Sequence, residues 1–546
     1  MADSFSKISQ KYEKLKKTDI DIPPFLPADI PKISVKTVEK YLLAVKTCKS
    51  TTRDDIPAVI FKKFAKELSD PISILINSCI LKGVWPNILK REIVTPIPKV
   101  YPPLKIDDLR NISGLLTLNK IAEKCIAELM LKDMKAKLDV SQYSNQKGIG
   151  IQHYLVNMID RILLALEDSA NGDAKAVIAT LVDWKQAFPR QCPKLGLEAF
   201  VKIGIRPSLI PVLLNYFQNR VMQVKWKGKY STVRELNGGG PQGALLGNLE
   251  YLAQSNDNAE MVNPEDRFKF VDDLTLLEVI NLLLNQVSSY DIQAHVPSDI
   301  PTHNGYIERA HLKSQANLSL INSWTKKKKM ILNMKKTKNM IFNYTRNHQF
   351  TIRLKEENKV VEVVDKMKLL GTILTNDLKW DANTSYLVKK AYKRMQLLHN
   401  VAKFTKETKD LKSIYITYIR PVLEQSSIVW HSSLTKENCD NLERVQRSAI
   451  RLIMGRKNFN YKESLLKLNL TSLEERRTSL CLNFAKRATM NNRTKKMFPL
   501  RKEQRTNTRR FTEKFIVNKA RTKRYQQSTI PFLQNLLNEN YKQKHL

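Results

Sequence analysis

The sequence predicts an α/β (α+β) fold in which short strands are set between helical stretches. Three observations predict it. The run AVIATLV (Ala176 to Val182) is rich in β-formers and ends in an acid, Asp183. The segment RFKFVDDL (Arg267 to Leu274) reads as strand, turn, strand with two acids at its tip. Before and after these, apolar residues recur at helical steps.

Taken in order, residues 1–34 are polar and punctuated by proline, with PPFLPADIPK at residues 23–32, and read as a leader or linker. From Val35 to Lys90, Ile60, Phe64, Leu68, Ile72 and Leu75 follow one another at three- and four-residue steps, which predicts packed helices. Mixed strands and helices come next. Beyond Trp380 the pattern is helical again, with Leu387, Ala391, Met395, Leu398 and Ala402 on one face. Residues 491–546 are rich in Arg and Lys with little apolar periodicity, and read as a basic tail that either binds RNA or is simply solvated. No internal repeat is evident.

Composition narrows the function. The chain has 546 residues, 42% of them hydrophobic, enough for a core divided among several subdomains. Lys and Arg total 92 against 53 Asp and Glu, giving a formal charge of +39 and a sequence pI near 9.8. That excess points to a polyanionic partner, because each cation set beside a phosphate releases a counterion. Anionic membrane is the rival, but no apolar run approaches the roughly 18 residues of a spanning helix, and the start has no apolar signal stretch. An intracellular protein with no membrane partner is expected. The cysteines (Cys48, Cys79, Cys125, Cys192, Cys439 and Cys481) include no CxxC pair, which argues against a zinc module and a disulfide framework.

Three carboxylates carry the candidate chemistry: Asp183, and the adjacent Asp272 and Asp273. Two-metal nucleotidyl transfer needs acids fixed on rigid strands, so that paired Mg²⁺ ions about 3.5 to 4 Å apart hold the attacking and leaving oxygens. An adjacent Asp pair alone is weak evidence, since surface turns often contain one.

The strings around these acids resemble reverse transcriptases, and they stand in the order that family has. LVDWKQAF (Leu181 to Phe188) resembles the first catalytic motif, GGGPQGALLGN (Gly238 to Asn248) the Pro-Gln-Gly motif, and FVDD (Phe270 to Asp273) the aromatic-x-Asp-Asp box. PIPK (Pro96 to Lys99) and DLRNISGLLTLNKIAEK (Asp108 to Lys124) look like the fingers segment. WTKKKKMILNMKKTKNMIFN (Trp324 to Asn343), KLLGTIL (Lys368 to Leu374) and DLKWDANT (Asp377 to Thr384) resemble the later palm motifs of non-LTR elements. IYITYIRPVLEQSSIVWHSSL and LERVQRSAIRLIMG resemble the segment after the palm in LINE-like, jockey-type polyproteins.

This resemblance implies a right-hand polymerase, with fingers and an antiparallel palm sheet over 35–375 and a helical thumb or connector over 376–490. It implies an RNA-directed DNA polymerase with two Mg²⁺ ions, Mn²⁺ being a substitute, acting on an RNA template, a DNA primer and dNTPs in the nucleus and cytoplasm. Asp183 and Asp272 would ligate both metals, with Asp273 completing the site; the competing reading is helix caps or solvated turn acids. Phe188 falls at the steric gate that excludes a ribose 2′-hydroxyl, or is ordinary core. Gln242 would contact the incoming nucleotide while Gly243 allows close backbone approach, or both belong to a plain glycine turn. Lys99 and Arg110 match the residues that grip the triphosphate. Lys336 matches a palm lysine that protonates pyrophosphate, or is a nucleic-acid contact. Leu370 and Gly371 fall at the primer grip, where a tight hairpin is expected.

The sequence also departs from the family. Pro189 stands where the first motif usually has a second acid, Val271 where Ala or Met is commoner, and GNLEY replaces Gly-Pro-Leu-Leu-Phe. The few dozen residues ahead of the likeness cannot encode an endonuclease. An alternative is therefore a degenerate remnant that only binds RNA, and a second is an RNA-templated RNA polymerase, against which Phe188 argues.

Overall fold

AVIATLV lies at the centre of a sheet, where a strand apolar on both faces belongs. The structure, a computed structural model, describes residues 1–47, 55–167, 175–281, 305–344, 350–455, 459–501 and 514–545. Its strands in chain order are β1 (Arg91–Pro98), β2 (Leu109–Gly114), β3 (Lys175–Val182), β4 (Arg220–Trp226), β5 (Lys229–Tyr230), β6 (Arg234–Leu236) and β7 (Arg267–Phe270). They continue with β8 (Asp273–Asn281), β9 (Lys338–Asn343), β10 (Lys355–Glu356), β11 (Lys359–Val360), β12 (Glu362–Val363), β13 (Lys366–Leu369) and β14 (Thr372–Thr375). The chain divides into two compact units: Met1–Gln142, Asp183–Met261 and Ser319–Asn333 form the first; Tyr143–Val182, Val262–Leu318 and Met334–Leu546 form the second.

In the first unit the sheet order is β2-β1-β4-β5, with β6 also on β4. β1 and β2 form an antiparallel hairpin, and β1 runs parallel to β4. Helices Ala65–Lys82, Thr117–Met134, Pro193–Ile203, Ile210–Phe217 and Leu245–Gln254 share one apolar core that includes Trp85, Ile126, Phe200, Leu213 and Leu249. The helical phase over 58–82 differs from the expected one. Phe61, Ala65, Ile72, Ile76 and Ile80 are buried, whereas Ile60, Phe64 and Leu75 are exposed. The buried stripe runs at three- and four-residue steps straight through the break at Phe64 (φ −104, ψ 35); apolar residues stand in adjacent pairs (Ile60 and Phe61, Phe64 and Ala65, Leu75 and Ile76), so periodicity alone does not choose between the two faces.

Residues 1–34 are no linker: Ile20 and Ile33 enter that core, and Ala2 is buried with Val94, Met222 and Val224. The anchors are too far apart in sequence to give a periodic signal. A buried charge network lies below the sheet. Arg220 is 2% exposed, and Glu123 accepts from Tyr216 Oη (2.7 Å), Asn119 Nδ2 (2.8 Å) and the amide of Leu245 (2.8 Å). Glu123 thereby fixes the first turn of helix Leu245–Gln254. Burial pushes its carboxyl above the usual range, against the pull of those donors and of Arg220.

In the second unit the sheet order is β12-β9-β3-β8-β7, and β3 is antiparallel to both neighbours. Helix Ile151–Glu167 packs on it, burying Tyr154, Leu155, Ile159 and Ile162. The same core takes in the face Leu387, Ala391, Met395 and Leu398 of helix Asp381–Val401, the stripe that the periodicity predicts. Helices Lys436–Met454 and Leu473–Met490 start on side-chain caps, Thr435 in one and a Ser472–Glu475 capping box in the other. The C-terminal segment is not merely a tail. Helix Thr529–His545 places Ile530, Leu533 and Leu537 in this core, and Glu167 accepts from the amide of Thr522 at 2.8 Å. Among the described residues no helix is long and apolar enough to cross a membrane. Cys79, Cys125, Cys192, Cys439 and Cys481 are free thiols; Cys48 lies outside the described residues.

Candidate active site

The acids of the second unit sit on a tight hairpin. β7 and β8 pair so that Phe270 faces Asp273, leaving Val271 and Asp272 as a two-residue turn. Val271 has φ +58, a conformation that costs a β-branched residue about 1–3 kcal/mol and persists only where surroundings impose it. Phe268 of β7 belongs to a cluster of rings: Tyr143, Tyr154 and Phe268 have centroids 5.7 to 6.2 Å apart. The Tyr154 hydroxyl lies 2.7 Å from Thr275 Oγ1, and burial raises the phenol far above its ordinary pKa, so it stays protonated. Asp272 is exposed and Asp273 half-buried.

Register places the ends of three strands together. Val182, the last residue of β3, faces Leu274 at the start of β8, and Leu181 faces Lys338 at the start of β9. The Asp272–Asp273 hairpin and the turn bearing exposed Lys336 thus share one end of this sheet, the end where β3 finishes. Asp183 is the next residue along the chain and opens a segment of the first unit.

Asp183 is held by a strand-like segment that the motif reading missed. Its Oδ1 accepts from Asn333 Nδ2 at 2.7 Å, and its carbonyl accepts from the Asn333 amide at 2.8 Å. Trp184 bridges to Leu332, Lys185 N donates to Ile331 O at 2.9 Å, and Trp184 Nε1 donates to Thr325 Oγ1 at 2.9 Å. Asn333 lies inside the string Trp324 to Asn343, yet nothing in that string marks it as a carboxylate partner.

Phe188 begins a short 3₁₀ turn in which Pro189 occupies an early position that suits its fixed φ. The departure at Pro189 is therefore absorbed locally. The Phe188 ring is half-buried and stacks on Tyr251, centroids 5.4 Å apart at 25°. The glycine-rich loop lies against this turn, with Gly240 N donating to Phe188 O at 3.0 Å and Gly239 N to Gln191 O at 2.8 Å. Gln242 O accepts from Ser113 N of β2 at 2.9 Å, while the buried Gln242 Oε1 has no hydrogen-bond partner. Gly243 takes φ +118, a backbone conformation that favours glycine, and a Cβ there would stand a tight 3.3 Å from Ser113 O.

Lys99 and Arg110 come together on the β1–β2 hairpin, where Pro98 faces Leu109 and Ile97 faces Arg110. Both are exposed; Lys99 Nζ donates to Asp107 O at 2.9 Å. Leu370 and Gly371 form a two-residue turn between β13 and β14, with φ +46 and +87. Paired positive φ values match the twist of a tight hairpin. Gln425 Nε2 donates to Gly371 O at 3.0 Å.

The first unit thus carries Asp183, Phe188, Lys99, Arg110, Gln242 and Gly243; the second carries Asp272, Asp273, Lys336, Leu370 and Gly371. Among the described residues, no group of three or more His, Cys, Asp or Glu stands close enough to hold a metal ion. The donors fit magnesium in kind, being carboxylate oxygens.

No protein-family model matches the chain. It is 23% identical over 461 residues to a probable RNA-directed DNA polymerase from transposon BS of Drosophila melanogaster, covering 82% of this chain and 47% of that protein. It is 27% identical over 190 residues to the RNA-directed DNA polymerase from mobile element jockey of the same fly, covering 34% of this chain and 20% of that one. The chain spans less than half the length of these curated relatives. A solved structure of apo telomerase from Candida tropicalis aligns at a TM-score of 0.39 and 13% identity, covering 89% of this chain and 91% of that chain. The likeness that the ordered motifs carry therefore extends over most of the sequence, and the chain is similar to the RNA-directed DNA polymerases of Drosophila non-LTR retrotransposons, jockey among them.

Proposed function

We propose that the chain is an RNA-directed DNA polymerase of a non-LTR element, adding dNTPs to a primer 3′-hydroxyl on an RNA template. The observation that carries this reading is the register of the second unit's sheet, in which β3 leads directly into Asp183 at the end where β8 begins with Asp273. In the reaction the primer 3′-hydroxyl gives up its proton to solvent water, its oxygen attacks the α-phosphorus, the bond from that phosphorus to the bridging oxygen breaks, and pyrophosphate leaves. Asp183 and Asp272 would hold two Mg²⁺ ions, with Asp273 completing the set. When bound, these ions lower the pKa of the attacking hydroxyl and neutralise charge on the leaving oxygens.

The remaining roles belong to the chain itself. Lys99 and Arg110, side by side on the β1–β2 hairpin, offer a point charge and a bidentate fork to the triphosphate. The unpartnered Gln242 Oε1 supplies an acceptor for the incoming nucleotide. Phe188, braced by Tyr251, would clash with a ribose 2′-hydroxyl. Lys336 would protonate the departing pyrophosphate. The Leu370–Gly371 hairpin would seat the primer end.

The test is primer extension. Purified protein with poly(rA), oligo(dT), dTTP and Mg²⁺ should lengthen the primer, and Asp272→Asn should abolish the activity. A folded wild type that extends nothing overturns the proposal. A second reading, an RNA-binding remnant, draws on the +39 charge and on the lack of an acid cluster among the described residues. It calls for salt-sensitive RNA binding indifferent to metal, with no extension. Comparing dNTP with rNTP incorporation separates an RNA polymerase from both.

A further inference from the structure

We propose that the N-terminal segment, Met1 to Tyr12, is a positioning strap that sets the glycine-rich loop for the nucleotide; its kinetic role rests on the polymerase reading above. A run of glycines has no side chains with which to hold its own shape and loses the most backbone freedom when ordered. Something outside it must supply the hold. The amides of Asn237 and Gly238, which open the loop, both donate to one atom, the Oγ of Ser9, at 2.7 and 3.0 Å. Ser9 is 3% exposed, Gly238 is buried and Asn237 half-buried, so loss of the Ser9 oxygen leaves the Gly238 amide poorly served by water.

Tyr12 closes the other side. Its ring fills the space beside Gly238, where a Cβ would come within 2.3 Å of the ring's Cδ2, and its hydroxyl donates to Arg190 O at 2.7 Å. Arg190 belongs to the same turn as Phe188, and Phe188 and Gln191 accept from Gly240 and Gly239. The loop is stitched to the Phe188 turn along one edge and to the strap along the other. Four residues past Gly238 stands Gln242, with its unpartnered acceptor.

The strap is itself anchored on the sheet. Ala2 and Phe5 pack with Val94, Met222, Val224 and Leu236. Leu15 O accepts from Gln218 Nε2 at 2.9 Å, just beyond the strap. The ion pairs Asp3–Arg234 (2.6 Å) and Lys14–Glu235 (2.8 Å) lie at the surface and add little. These residues thus tie the sheet carrying the β1–β2 hairpin to the loop, and their displacement would move Gln242 relative to Lys99 and Arg110.

The experiment uses the full chain and two readouts. Ser9→Ala should raise hydrogen exchange at the amides of Asn237 and Gly238 and raise KM for dTTP about tenfold, the worth of two hydrogen bonds, with kcat within about twofold. Tyr12→Phe, which keeps the ring, should raise KM about threefold, one hydrogen bond's worth. Ser9→Thr, which keeps the acceptor, should restore both readouts. Wild-type exchange and KM in Ser9→Ala and Tyr12→Phe overturn the strap. A fall in kcat with KM unchanged also overturns it. A folded wild type that extends no primer overturns the polymerase reading and the kinetic role with it, while amide exchange separately shows whether Ser9 holds the loop.

Discussion

Asn333 grips Asp183 twice, its Nδ2 donating to Oδ1 at 2.7 Å and its amide donating to the carbonyl at 2.8 Å. The backbone bond fixes where the acid stands, and the side-chain bond fixes which oxygen remains for other partners. Asn333→Ala removes only the second. Primer extension should fall about 10- to 100-fold, the usual cost of losing a partner that orients a metal ligand, and the Mg²⁺ concentration giving half the maximal rate should rise. Titrating MgCl₂ against rate checks this. An unchanged Mg²⁺ dependence would separate Asp183 from the metal.

Phe188 braces on Tyr251, so its ring edge has a fixed position. Phe188→Val shortens the side chain without adding polarity. Ribonucleotide use relative to dNTP should rise by at least about tenfold, since removing a steric clash changes discrimination more than binding. Stability should fall by on the order of 1 kcal/mol for the half-buried ring. Competition between rTTP and dTTP on one primer measures the first effect and thermal unfolding the second.

Glu250, in the divergent GNLEY string, is fully buried where an apolar residue is expected. Burial pushes its carboxyl up to about 8, and only Arg220 and the Gln254 amide (3.0 Å) pull the other way. Between about pH 4.5 and 8 the folded state keeps a proton that the unfolded chain releases, so stability is full below the lower value and falls as pH rises. The loss by pH 8 is on the order of 4 kcal/mol. Glu250→Gln should match wild type near pH 4 and be clearly more stable at pH 8. Melting temperatures across that range, with parallel slopes for both proteins, would refute it.

Gly371 has φ +87, and a Cβ there would stand 2.3 Å from Gln425 Nε2. Gly371→Ala should cost about 1–2 kcal/mol in the backbone alone, besides the displaced amide. Pairing it with Gln425→Ala relieves the collision but not the backbone, so the double variant should recover only part of the loss. Denaturant midpoints of the four proteins in the cycle decide the matter.

Much of this was legible in the sequence because it was local. β3 was readable since a strand buried on both faces is apolar throughout, and Leu387, Ala391, Met395 and Leu398 since one helix buries one stripe. The phase of Phe61 and Ala65 was not, because each stands next to another apolar residue, Ile60 or Phe64, that fits the same period one step earlier. The partners of the site residues were hidden for a different reason. Asn333 lies 150 residues from Asp183, and Glu123 lies 122 from Leu245. A polar side chain carries no sign of which distant group it will satisfy. The C-terminal helix was missed because Ile530, Leu533 and Leu537 are few among basic neighbours.

The interleaving of the two units also sets an order for birth on the ribosome. The first unit has all its residues once Asn333 has been made, whereas the second waits for the helix Thr529–His545. Nascent chains should therefore complete the half bearing Phe188 and Gln242 while the half bearing Asp272 is still unfinished, with helix Ile151–Glu167 lacking one of its packing partners until helix Thr529–His545 has been made. Chaperone dependence and aggregation during translation would then fall chiefly on the later-finished half.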